Sequence, residues 1–285
     1  MNPQHKQGKL RTILVPLDAS PQSLAALETA AQLAEAIGAR LTGLYVEDSE
    51  LLELCRYPFA REVVLYPTGS RPLESSELER DFRIQARKIR DMMNQLAERS
   101  RFGWDFNVRR GRVIKEILEQ TDTADLTVIG RMGSSLKKAS MGSTVRSLVE
   151  QGRGQTLILQ EKLRTSTPLL TVYNGSELSG RSLEIAVEIA RAAIGKMEIL
   201  IPAQSESEYH SLYKEVLSAT RVESGRPDLQ ISFRRVRGEV TPALVALLWA
   251  EYRQPVVLPV DVLDGDPDSV LRVIKQISNP VLLVR

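Results

Sequence analysis

Glycines 130, 133 and 142 stand in the stretch "VIGRMGSSLKKASMGSTV", from Val128 to Val145, with Ser143 and Thr144 directly after the third. Glycines let successive backbone N–H groups converge on one concavity, which is a nest for an anion. The following "VRSLVEQ" reads as a helix. A helix start at Gly142 to Val145 adds unpaired N–H groups and the positive end of the helix dipole. Ser143 and Thr144 add hydroxyl donors. This set suits a di- or triphosphate. It is not a Walker loop, because no Gly-Lys-Ser/Thr is present, and it is not the Gly-x-Gly-x-x-Gly dinucleotide turn. On spacing alone, a strand-to-helix connection with turn glycines and a Ser cap stays open. Arg131, inside the loop, reads as a phosphate partner or as a solvated arginine. Lys137 and Lys138 read as a basic flap or as ordinary surface lysines.

Two further positions belong to the same sheet edge. Asp18 ends the apolar run "TILVPLD". A carboxylate there can accept from a ribose hydroxyl or an adenine amino group, face a metal, or simply make the turn before "SPQSLAAL". Val46 is expected to end the second strand, where its backbone meets an adenine edge or its side chain is plain core.

The elements that place these residues occur twice. "RTILVPLDASPQSLAALETAAQLAEAIGARLTGLYVED" from Arg11 is matched by "TPLLTVYNGSELSGRSLEIAVEIARAAIGKMEILIPAQ" from Thr167. Each is an apolar strand, a turn with two serines three apart, an Ala-rich helix ending near a glycine, and a second strand. "NVRRGRVIKEILEQTDTADLTVIG" is matched in the same way by "RRVRGEVTPALVALLWAEYRQPVVLPV". Each copy closes on a helix and a short strand, "QTLILQ" and "NPVLLVR". Strands alternating with helices imply a mainly parallel sheet covered on both faces. The expected fold is α/β: two Rossmann-like open parallel five-stranded sheets in a pseudo-twofold tandem. The expected domains are residues 1–164 and 165–285. The first copy carries an excursion from about Ser49 to Phe82, before a charged helix over roughly Glu74 to Ser100.

The second copy serves as an internal control. Asn174 stands where the first has Asp18. "VVLPVDVLDGDPDSVLRVI" replaces the glycine loop, with Asp261, Asp264, Asp266 and Asp268. Carboxylates repel phosphate. Such a run can hold Ca²⁺ or Mg²⁺ in principle, but a solvated acidic turn is the simpler reading. The second copy is expected not to hold the phosphate ligand that suits the first. Its strand-to-helix connection manages with one glycine, so the connection as such does not require three.

Composition bounds the alternatives. Of 285 residues, 42% are hydrophobic and 26% charged, and 38 basic against 36 acidic side chains leave a net charge of +2. That balance gives no electrostatic argument for nucleic acid. No apolar run approaches the ~20 residues of a membrane span, and the polar start lacks a signal core. One cysteine, Cys55, and two distant histidines, His5 and His210, give neither a disulfide nor metal-ligand spacing. A reducing, cytoplasmic setting is expected.

Strand-Asp-x-Ser at Asp18 to Ser20, with "VIGRMG…MGSTV" further on, resembles the universal stress protein family, as a tandem of two such domains over nearly the whole chain. The family's ATP-binding pattern is Gly, two residues, Gly, nine residues, Gly, Ser/Thr. Here Gly130, Gly133, Gly142 and Ser143 match with eight residues in the second gap. The resemblance implies a HUP-type fold. It places adenosine between Asp18 and Val46, and phosphates on Gly130, Arg131, Gly133, Gly142, Ser143 and Thr144. The implied ligand is ATP, with Mg²⁺ admissible beside it, bound by the first domain only. The implied role is regulation of a stress response. It also implies pairing of "TLILQ" with "PVLLV" as an internal pseudo-dimer, with a further homodimer open. A nucleotide-free interaction protein and a slow ATPase stay open as alternatives, and a protein partner has no signature in the sequence.

Overall fold

The computed structural model describes residues 9–64, 69–100, 102–131, 142–160, 163, 166–222, 229–250, 254–263 and 265–285. The first half runs β1 (Thr12–Leu17), α1 (Pro21–Ile37), β2 (Arg40–Asp48), α2 (Ser49–Leu54), β3 (Arg61–Val64), β4 (Gly69–Pro72), α3 (Ser75–Arg99), β5 (Trp104–Gly111), α4 (Val113–Thr121), β6 (Leu126–Gly130), α5 (Ser143–Gln151) and β7 (Gln155–Leu159). The second half runs β8 (Leu169–Val172), α6 (Glu177–Ile189), β9 (Lys196–Pro202), α7 (Glu206–Val222), β10 (Gln230–Val236), α8 (Val240–Ala250), β11 (Val256–Pro259), α9 (Pro267–Gln276) and β12 (Val281–Val284). A π-helical turn, Ala190–Ile194, extends α6, and a 3-10 turn, Val260–Leu263, follows β11.

Each half supplies five strands to one ten-stranded sheet, in the order β10-β9-β8-β11-β12-β7-β6-β1-β2-β5. Pairing is parallel within each half. At the joint β12 lies antiparallel to β7, with Leu282 opposite Leu157. The five-stranded sheets expected from the repeat are therefore fused edge to edge. This pairing covers two largely apolar strands that would template aggregation if left open. Helices cover both faces, so the central strands need no polar alternation: β6, β11 and β12 are buried at every residue. One apolar layer runs across the joint from Leu27 and Leu157 to Leu282 and Leu183.

Local sequence explains the first turn. The Ser20 hydroxyl oxygen accepts the Ser23 N–H at 3.2 Å, capping α1. Pro21 suits the first helical position, where no N–H partner is needed. Gly38, at φ 71°, ends the helix in the left-handed conformation. Alanines 26, 30 and 34 let the buried face of α1 approach the sheet closely, and fully buried Leu27 contributes about 2 kcal/mol.

The described residues of the excursion form regular elements. They include α2 and an antiparallel β3–β4 hairpin. Tyr57, Phe59 and Val63 point outward, at 52%, 78% and 74% exposure. The long helix α3 follows as expected. Phe82, Ile89 and Met93 form its buried stripe.

Candidate functional site

In an open parallel sheet, ligand crevices form beyond the carboxyl ends of strands where the chain order reverses. Here β1 sits between β2 and β6 and marks that reversal. A cavity of about 490 Å³ opens there, within the size range of small-molecule sites. Leu17, Leu44 and Ile129 are among its apolar lining residues. The walls come from β1, β2, β6, the starts of α1, α4 and α5, and from α2 and α3.

Six of the eight residues expected from sequence line this cavity: Asp18, Val46, Gly130, Gly142, Ser143 and Thr144. Gly133 lies outside the described residues, as do Met132, Lys137 and Lys138. Arg131 is not part of the lining. Its guanidinium donates to the carbonyls of Ile277 at 2.8 Å and Lys275 at 3.1 Å, at the end of α9 in the second half. Burial there pulls its pKa below the ordinary arginine value. Its side chain is thus committed to the domain joint.

Asp18 has two roles. Its Oδ1 accepts the Ser20 N–H at 3.0 Å, which makes the turn into α1. The second half repeats this with Asn174 Oδ1 and the Ser176 N–H, also at 3.0 Å. An amide makes the turn equally well, so the negative charge at Asp18 is what the turn does not account for. The residue between, Ala19, has φ 59°; its counterpart is Gly175 at φ 83°. A left-handed Ala is strained where glycine is not.

Val46 does not end its strand. β1 stops at Leu17, opposite Tyr45, while β2 continues against β5 to Asp48. Val46 is therefore the first β2 residue without a β1 partner, which is why it meets the cavity.

The glycines at the other wall differ in kind. A Cβ on Gly130 would lie 3.0 Å from the Gln22 carbonyl oxygen, so the close approach of α1 to β6 leaves little room for a side chain here. Gly142 has φ −58°, a conformation open to any residue. Its N–H donates to the Arg131 carbonyl at 3.1 Å. The residues after it begin α5, where no side chain caps the helix. The uncapped start of α5, with Ser143 and Thr144, thus lines the cavity, and such a helix start attracts an anion.

Residues that sequence did not single out complete the site. Leu51 comes from α2, and Leu78, Asp81, Phe82 and Gln85 come from α3. Tyr45 donates its hydroxyl to Gln85 Oε1 at 2.8 Å, tying α3 to β2. Burial first, then the charges of Glu47, Asp18 and Asp81, push the Tyr45 phenol above its usual range. Asp18, Asp48 and Asp81 put three carboxylates around the cavity, and no Lys, Arg or His lines it among the described residues. The only sequence signal for the α3 contribution is the i, i+4 spacing of Leu78 with Phe82 and of Asp81 with Gln85. It marks faces, not which one meets the site.

The second half is built differently at the corresponding place. Pro259 ends β11 as Gly130 ends β6, and the 3-10 turn after it buries Leu263 fully. Asp266 Oδ2 accepts the Ser269 N–H at 2.9 Å and caps α9. That bond holds its carboxyl below the usual carboxylate range. Asp264 lies outside the described residues. Among the described residues, no three His, Cys, Asp or Glu side chains converge as metal ligands.

The universal stress protein family model matches residues 9–159, more than half of the chain. The chain belongs to the universal stress protein family. No curated protein sequence matches it significantly. Among solved structures, it is similar to a universal stress protein from Archaeoglobus fulgidus DSM 4304, with 14% identity and a TM-score of 0.69, over 95% of this chain and 97% of that one. It is similar to a functionally unknown protein from Pseudomonas aeruginosa PAO1, with 14% identity and a TM-score of 0.60, over 96% and 92%. It is also similar to the cytoplasmic domain of a prokaryotic cation chloride cotransporter, with 8% identity and a TM-score of 0.57, over 97% and 95%. At these identities the likeness is one of fold. It extends over both halves, so the tandem arrangement recurs beyond this universal stress protein. Among the described residues, no helix is long and apolar enough to cross a membrane.

Proposed function

We propose that the first half of this universal stress protein binds an adenine nucleotide, ATP in the fullest reading, as a regulatory ligand. The carrying observation is the join of an apolar cavity at the carboxyl ends of β1, β2 and β6 with the uncapped start of α5. Leu17, Leu44 and Ile129 offer apolar contacts for a base. Asp18 and Asp48 offer acceptors for ribose hydroxyls or an exocyclic amino group. Gly142, Ser143 and Thr144 offer the phosphate end.

Charge shapes the ligand form. Three carboxylates with no basic side chain among the described lining residues oppose a bare triphosphate. A bound Mg²⁺ offsets that repulsion, so the magnesium complex is the preferred form. Regulation then requires that nucleotide favour one conformation or assembly over another.

Equilibrium titration of the intact chain with ATP, with and without Mg²⁺, and with adenosine tests the proposal. Saturable ATP binding strengthened by Mg²⁺ is expected. Absence of any nucleotide binding would leave the chain as an interaction protein. Sustained phosphate release well above the spontaneous rate would make it an ATPase.

A further inference from the structure

The two halves exchange arginine contacts at helix ends, and both contacts bear on the same wall of the cavity. Arg285 follows β12 in the second half. Its Nη2 donates to the carbonyls of Leu148 and Val149, each at 3.0 Å, in the last turn of α5. Its Nη1 donates to the Gly154 carbonyl at 3.2 Å, beyond that helix. In return, Arg131 and Gln160 of the first half donate to the Ile277 carbonyl that ends α9, at 2.8 and 3.2 Å. Gln160 follows β7 as Arg285 follows β12, so the exchange repeats the pseudo-twofold of the chain. A cation on the final carbonyls of a helix satisfies unpaired acceptors and opposes the negative end of its dipole.

The consequence concerns α5. This helix is nine residues long, so its capped end and its cavity end are only about 13 Å apart. Its carboxyl end is gripped by Arg285. Its amino end is held by the bond from the Gly142 N–H to the Arg131 carbonyl. Arg131 is fixed in turn by its guanidinium on α9 and by its own N–H on the Leu159 carbonyl at 2.7 Å. Both ends of the helix that presents Ser143 and Thr144 to the cavity are therefore referred to the second half.

We propose that Arg285 and Arg131 are positioning residues through which the second half sets the phosphate end of the first half's site. The second half is then a built-in partner of nucleotide binding. By linkage, phosphate at the start of α5 strengthens the domain joint as much as the joint strengthens phosphate binding. This inference rests on the proposal that the cavity binds an adenine nucleotide.

The test measures Mg-ATP and adenosine affinities of the intact chain for wild type, Arg285→Ala, Arg285→Lys and Arg131→Lys, with folding of each checked by circular dichroism. Arg285→Ala is expected to weaken ATP about fivefold or more while adenosine changes less than about twofold. Arg285→Lys keeps the charge and part of the grip, so it recovers part of the ATP affinity. Arg131→Lys, a milder change, weakens ATP selectively even where Arg285→Ala fails to fold. Unchanged ATP affinity in the folded variants overturns the inference, as does an equal loss for ATP and adenosine. A wild type that binds no nucleotide overturns the binding proposal itself, and this inference with it.

Discussion

The Gly142 N–H donates to the Arg131 carbonyl at 3.1 Å. That bond joins the end of β6 to the start of α5 beside the cavity. It also explains why the two residues carry different duties. Gly142 lines the cavity, while Arg131 sends its side chain to the end of α9.

Asp18→Asn separates the turn from the charge. Asn174 shows that an amide supports the same turn, so unfolding free energy is expected to change by less than about 0.5 kcal/mol. ATP affinity is expected to fall about tenfold, the value of a charged over a neutral acceptor. Denaturant unfolding and nucleotide titration on the same variant read both numbers.

Ala19→Gly is expected to stabilise the protein. Ala19 sits at φ 59°, where glycine is at ease and where the second half has Gly175. Relief of about 1–2 kcal/mol of backbone strain outweighs a smaller loss from the freer unfolded chain. Urea unfolding should show a net gain of about 0.5–1 kcal/mol. A loss would mean that the turn geometry does not strain this residue.

Gly130→Ala has the opposite sign. Its Cβ would press on the Gln22 carbonyl, which is backbone and cannot swing away. A cost of about 1–3 kcal/mol is expected in the same unfolding measurement, whatever the ligand.

Stability at high pH follows from two tyrosines. Burial and carboxylates raise the Tyr45 phenol, and burial with Glu215 pushes Tyr173 up to about 12. Unfolded tyrosine ionises near pH 10. The unfolded chain therefore releases protons above about pH 10 that the folded chain retains, and stability falls as pH climbs from there. Below that value the tyrosine contribution is flat. Tyr45→Phe should flatten part of the fall while costing about 1 kcal/mol at neutral pH for the lost bond to Gln85. Unfolding curves against pH, with tyrosinate absorbance as the second readout, check both.

These outcomes also show which features the sequence carried. The turn at Asp18 and Ser20 is written in contiguous residues and repeated 156 positions on, at Asn174 and Ser176, so it was legible twice over. The cavity wall at Gly142, Ser143 and Thr144 was legible because glycine and hydroxyls cluster before a helix. Arg131 was not: its partners Lys275 and Ile277 lie 144 and 146 residues away, across a joint formed only when β7 meets β12. Gly130 carried a packing reason that no local pattern distinguishes from a loop reason. Asp81 and Gln85 depended on how α3 lies against the sheet, which the Tyr45 hydroxyl fixes in three dimensions.

ATP affinity of Gly142→Glu against Gly142→Ser tests the central claim most directly. At φ −58° a side chain strains no backbone, and serine is a favoured helix cap, so Gly142→Ser is expected to fold and to bind ATP within a few-fold of wild type. Gly142→Glu places a carboxylate where the phosphates are proposed to sit, and ATP affinity is expected to drop by about a hundredfold or more. A folded Gly142→Glu protein that binds ATP as tightly as wild type would contradict the account.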